Sequence, residues 1–103
     1  MNIGRVIKDL RKEKGFNQIE FAAKCSITQT SLSLIETDSQ RPNPSTLKKI
    51  CKVLDIHEMF LYILSVDEKD IPENKKEKFE ILFPTIENMI KQLWADDKRQ
   101  KSK

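Results

Sequence analysis

With one histidine, two cysteines and two glycines in 103 residues, the sequence has little of what most enzymes use. His57 has no second histidine and no cysteine at ligand spacing, so no metal site is expected. No glycine-rich loop is available to cradle a phosphate and no nucleophile stands beside a base. The chain therefore reads as a binding protein rather than an enzyme, with no cofactor. Cys25 and Cys51 are too few for a disulfide framework; each falls in line with an apolar helix face and reads as a buried, reduced thiol. Apolar runs of membrane length are missing, and Met1 to Arg5 lead straight into a charged amphipathic segment. The expectation is a cytoplasmic chain with no membrane partner.

Seven aromatic residues, few turn formers and a charged content of 34% point to helices rather than sheet. The length suits one domain with an appendage. The formal charge of +3 is mild, and residues 1–66 carry all of it, with 10 Lys/Arg against 7 Asp/Glu, while the remainder has 9 of each. Any preference for a polyanion belongs to that first part.

Apolar spacing divides residues 1–66 into five helices. The first covers residues 2 to 14, with Asn2 as cap, Ile3, Val6, Ile7 and Leu10 on one face, and Gly15 as the left-handed stop. Phe16 precedes a second helix that opens with a capping box, Asn17 and Glu20, and whose stripe is Ile19, Phe21, Ala22 and Cys25. After Cys25-Ser26-Ile27, Thr28 caps a third helix with Leu32 and Ile35 inward. Asn43 caps a fourth, with Pro44 at its first position and Leu47, Ile50, Cys51 and Leu54 inward. Asp55 and Glu58 repeat the capping-box spacing before a fifth, apolar on most sides, carrying Met59, Phe60, Leu61, Ile63 and Leu64. His57 reads as a surface or capping residue. Residues 17 to 36, two short amphipathic helices meeting at a tight turn, have the outline of a helix-turn-helix.

Several groups of residues together resemble the phage-repressor-like (Xre/Cro-type) helix-turn-helix family. They are Leu10-Arg11 before Lys14-Gly15-Phe16, the pair Asn17-Gln18, Phe21-Ala22, Thr28 through Leu32-Ser33-Leu34-Ile35-Glu36, and Pro44-Ser45-Thr46-Leu47 before Leu54. The resemblance covers Ile3 to Ile56 and implies an all-α, five-helix lambda-repressor-like bundle that binds operator DNA as a dimer. It also implies that Arg11 and Glu36 form a structural pair and that Gln18 meets a phosphate. Two positions depart from the pattern: Ser26 and Asp38 stand where the family has glycine, so both turns are expected to be strained or altered.

In such a motif the second helix enters the major groove and its first residues reach base edges. Gln29, Thr30, Ser33 and Leu34 are then the candidate base contacts, Gln29 foremost because its amide offers adenine a donor and an acceptor together. Leu34 has two readings, contact with a thymine methyl or an isolated surface apolar residue. Gln18, Thr28, Arg41, Asn43 and Ser45 are the candidate backbone contacts; Lys48 and Lys49 read as a solvated face.

Residues 67–103 form a C-terminal extension. A helix is expected from the capping pair Asp70 and Glu73, kinked or broken near Pro84, with a frayed basic tail from Lys98. Phe79, Leu82, Phe83, Ile86, Met89, Ile90, Leu93 and Trp94 make it apolar enough to need a partner, either its own bundle or the same helix of a second chain. The expected partners are double-stranded DNA and a second copy of the chain, as a sequence-specific repressor on a palindromic operator. The alternative is an adaptor or antitoxin that binds a partner protein through the C-terminal helix.

Overall fold

The computed structural model describes residues 1–94, and over these the protein is all-helical. α1 is Ile3–Glu13, α2 Gln18–Lys24, α3 Gln29–Glu36, α4 Pro44–Leu54, α5 Glu58–Leu64 and α6 Lys76–Trp94, with two short 3₁₀ turns, Glu68–Asp70 and Glu73–Lys75, before α6. The basic tail lies outside the described residues.

The predicted inner faces of α1, α3 and α4 converge on one core. Ile7, Phe21, Leu32, Ile50, Leu54 and Leu61 are fully buried at its centre, and Cys25, Ile35, Leu47 and Cys51 are also buried. Ile19 is the exception: it is exposed. It lies two residues before Phe21, about 200° round the helix, on the side opposite the Phe21, Ala22, Cys25 stripe. The Phe16 ring does staple α2, its centroid 5.9 Å from that of Phe21.

α1 to α4 end alike. Gly15, Ser26, Asp38 and Asp55 each take the left-handed conformation, at φ of 84°, 58°, 60° and 56°. In each case that residue's N–H and the next one's fold back onto the helix's last carbonyls, as Ser26 on Ala23 and Ile27 on Ala22 do after α2. The turns at Ser26 and Asp38 thus keep the glycine geometry rather than adopting another. Asp55 is used in this way and so does not start α5. His57 takes that role, its Nδ1 accepting from the Met59 N–H at 3.0 Å.

Asn2 stands at the N-cap of α1, but its side chain makes no capping bond. Asp38 supplies one from the far end of α3: its Oδ1 accepts from the Gly4 N–H at 2.9 Å. Asp38→Ala should therefore cost about 1–2 kcal/mol, a lost cap in a conformation that alanine tolerates less well. Asp38→Gly loses the same bond but relaxes the backbone, and should stay within about 1 kcal/mol of the parent. Urea unfolding of the two variants separates these outcomes.

The extension departs from expectation at its start and at its proline. Asp67 and Asp70, not Asp70 and Glu73, form the capping pair, and they cap the first 3₁₀ turn. The Met1 α-ammonium pairs with both, 3.5 Å from Asp67 and 3.0 Å from Asp70. α6 begins only at Lys76 and runs unbroken to Trp94 with Pro84 inside it. Pro84 and Glu80, whose carbonyl loses its donor there, are both exposed, so water can satisfy the freed oxygen and the break does not occur. α6 adds Ile90 to the core and lays the Trp94 ring on Phe60, centroids 4.6 Å apart.

Candidate nucleic-acid interface

The motif is assembled from its caps. Asn17 Oδ1 accepts from the Glu20 N–H at 2.8 Å and Glu20 Oε1 from the Asn17 N–H at 3.1 Å, so α2 starts with both halves of the expected box. Thr28 Oγ1 accepts from the Ser31 N–H at 3.0 Å and starts α3. Ser26 makes the turn between them. These bonds reach no more than three residues, so the local sequence suffices to place both helix starts.

Arg11 and Glu36, 6% and 5% exposed, join α1 to the end of α3. Arg11 Nε donates to Glu36 Oε2 at 2.7 Å and Nη2 to Oε1 at 3.1 Å, a two-pronged contact that fits the guanidinium plane. Arg11 Nη1 donates to the Phe16 carbonyl at 2.9 Å and fixes the turn into α2. A chain of side chains then leads outward from Glu36. Gln18 Nε2 donates to Glu36 Oε1 at 3.2 Å, and Gln29 Nε2 donates to Gln18 Oε1 at 3.3 Å. Two candidate DNA contacts, the first residues of α2 and of α3, are thereby held side by side and anchored in the core.

Gly4 and Arg11, seven residues apart on one face of α1, both grip the C-terminal end of α3, through Ile35, Glu36 and Asp38. Its N-terminal end is left open: Thr28, Gln29 and Thr30 are exposed. Ser33 is half-buried and Leu34 exposed, as the spacing required. Arg41 is exposed in the loop before α4. Asn43 Oδ1 accepts from the Thr46 N–H at 2.8 Å and from the Ser45 hydroxyl at 2.9 Å, so Asn43 keeps its amide hydrogens for an outside acceptor. The link from Gln18 to Glu36 and Gln29 was not legible in the sequence. The Asp38 contact was signalled only by Gly4, an isolated glycine in a helical stripe.

Cys25 and Cys51 are free and buried, and burial pushes both thiols up to about 11. They are protonated packing groups. Among the described residues no helix is long and apolar enough to cross a membrane.

A recognition helix held at one end, with its other end open beside the start of a preceding helix, defines a helix-turn-helix DNA-binding protein. Residues 7–61 match the helix-turn-helix family HTH_3, and the chain belongs to this Xre/Cro-type family of DNA-binding transcriptional regulators. It is similar to the HTH-type transcriptional regulator ImmR of Bacillus subtilis (strain 168), with 31% identity over 94% of this chain and 72% of ImmR. The immunity repressor protein of Bacillus phage phi105 is 36% identical over 54% of this chain and 39% of its own length. The HTH-type transcriptional regulator SinR of Bacillus subtilis (strain 168) is 42% identical over 52% of this chain and 50% of its own. The chain thus spans half or less of the last two. No solved structure matches it.

Proposed function

We propose that the chain is a sequence-specific repressor that acts as a homodimer on a palindromic operator. The observation that carries this reading is the run of hydrogen bonds from Arg11 through Glu36 and Gln18 to Gln29. Each glutamine amide nitrogen has two hydrogens, and each spends one inside the protein. Gln29 keeps one N–H and its Oε1, the donor and acceptor pair that adenine N7 and N6 take up in the major groove. Gln18 keeps one N–H for a phosphate oxygen. Its contact with Gln29 turns the second amide toward the base before DNA arrives, so less side-chain freedom is lost on binding. Thr30, Ser33 and Leu34 follow along the groove, and Thr28, Arg41, Asn43 and Ser45 flank it on the backbone. One such helix reads only a few base pairs; two copies one helical turn apart read a palindrome.

Binding-site selection from random duplexes with the full chain tests the reading. A palindromic sequence should emerge, bound more weakly as salt is raised. Gln29→Ala should relax one base pair of each half-site by roughly 1–3 kcal/mol. Gln18→Ala should weaken every sequence and, because it frees Gln29, blunt the same base pair in part. Absence of duplex binding at low salt would overturn the proposal and favour the adaptor reading, whereas a preferred sequence unchanged by Gln29→Ala would overturn the assignment of Gln29 as a base reader.

A further inference from the structure

Between α6 and α1 the two helices do not close on one another. An apolar cavity of about 180 Å³ opens there, walled by Leu10 of α1, by Leu54, Ile56 and Leu64, and by Ile90 and Trp94 of α6. It runs on into a polar crevice of about 260 Å³, since Leu10, Glu13, Leu64 and Lys91 line both spaces. An apolar cavity of roughly 150 Å³ stays dry and takes up benzene, so this one suits a single phenyl ring or a branched aliphatic chain. Spaces of this kind, between the helices of a bundle, are where small molecules bind.

The rim carries both signs of charge. Arg5, Asp9 and Glu13 of α1 face Glu87 and Lys91 of α6 across the crevice, and Lys14 lies at the mouth of the cavity. Arg5 with Asp9, and Glu87 with Lys91, stand four residues apart, the spacing at which opposite charges on a helix surface ordinarily meet. Among the described residues neither pair closes, and no ion pair joins Arg5, Asp9, Glu13, Glu87 or Lys91 to any other group. Carboxylates and cations thus converge on an apolar cavity without satisfying one another. A rim of one sign would suit a simple organic acid or a simple amine; a rim of both suits a molecule that carries both.

We infer that this space binds a free α-amino acid with a large apolar side chain, of the phenylalanine or leucine kind. The side chain fills the cavity against Ile90 and Trp94. Lys91 takes the carboxylate and Glu13 the ammonium; both line cavity and crevice alike, so both stand where the two spaces meet. Gly4 and Arg11 lie on the other side of α1, so the helix that holds the amino acid is the one that grips the end of α3. Neither DNA nor a second copy of the chain enters the contact, and the inference stands apart from the repressor reading.

Trp94 is the one tryptophan of the chain, and its emission reports the cavity. L-Phenylalanine titrated into the full chain, with excitation of tryptophan alone, should change that emission saturably, with a midpoint on the order of 1 mM or lower. Hydrocinnamate, which lacks the ammonium, and phenethylamine, which lacks the carboxylate, should each bind at least roughly tenfold more weakly, since each forfeits one charge-assisted contact. Lys91→Gln should weaken phenylalanine by about tenfold and leave phenethylamine unchanged, whereas Glu13→Gln should weaken phenylalanine as much and leave hydrocinnamate unchanged. Both side chains are exposed, so both variants should fold, with circular dichroism as the check. No saturable change at roughly ten times the expected midpoint overturns the inference. Equal binding of all three compounds would reveal an apolar cavity and no amino-acid site, and hydrocinnamate binding as well as phenylalanine would reveal a site for acids; either result overturns it. Variants that weaken all three compounds alike overturn it as well.

Discussion

Glu36→Ala should lower the melting temperature by roughly 15 °C or more, although Glu36 is one carboxylate in a chain with sixteen acidic residues. Removing it strands the Arg11 guanidinium in the core, where among the described residues the Phe16 carbonyl is its remaining hydrogen-bond partner. A buried charge deprived of its partner costs about 3–5 kcal/mol. A domain of this size has on the order of 5–10 kcal/mol in all, and each kcal/mol is worth about 4–8 °C, so Tm should fall by roughly 15 °C or more. Scanning calorimetry reads this directly, and a fall of only a few degrees would show that the pair is not the keystone that its burial suggests.

Replacing both partners together should behave differently. Arg11→Met with Glu36→Leu removes two charges and restores apolar volume, and such exchanges are commonly neutral or stabilising. Melting should recover most of the way. Duplex discrimination should not, because Gln18 loses the carboxylate that holds it and Gln29 loses its support in turn. A stable double variant with blunted specificity would separate the two uses of the pair, keeping α1 on α3 and aiming the amides. A double variant that reads DNA like the parent would place the aiming elsewhere.

Gly4→Ala is the second substitution with a large expected effect, and general propensity argues the other way. Alanine in place of a helical glycine ordinarily gains about 1 kcal/mol. Here the new methyl would overlap the Ile35 carbonyl oxygen and lie 2.9 Å from Asp38 Oδ1. The obstacle is main chain of α3 at the point where α1 crosses it, so no rotamer change relieves it. α1 must shift, and the Asp38 cap on Gly4 goes with it. Overpacking costs typically 1–3 kcal/mol and the lost cap about 1 more, which together outweigh the propensity gain and leave a net loss of about 1–3 kcal/mol. Urea unfolding that showed Gly4→Ala more stable than the parent would mean that the two helices are less tightly opposed than this. In the folded fraction, duplex binding should also weaken, since the shift acts on the end by which the recognition helix is held.

What could be read in advance and what could not divides by the range of the interactions. The starts of α2, α3 and α4 were legible at Asn17, Thr28 and Asn43 because each cap bonds an N–H three residues on. The Arg11–Glu36 pair was reached through resemblance rather than through spacing. Ile19 and Asp55 misled for a common reason: residue type suits either of two local uses, a stripe or a surface, a helix start or a left-handed stop. In α6 the stripe through Phe83, Ile90 and Trp94 and the stripe through Leu82, Ile86, Met89 and Leu93 share one period and lie one residue apart, so periodicity cannot say which of them docks.

By itself the sequence determined the class of molecule, a small helical bundle that carries a helix-turn-helix with an exposed start to its second helix. Those properties depend on residue type and on spacings within one or two turns. Only the tertiary structure decided that Asp38 caps a helix 34 residues away, that Gln18 passes the anchorage of Glu36 on to Gln29, and that α6 turns its more apolar side to solvent. Each depends on where one element sits against another, and that is set by the summed packing of a shared core and not by any local pattern.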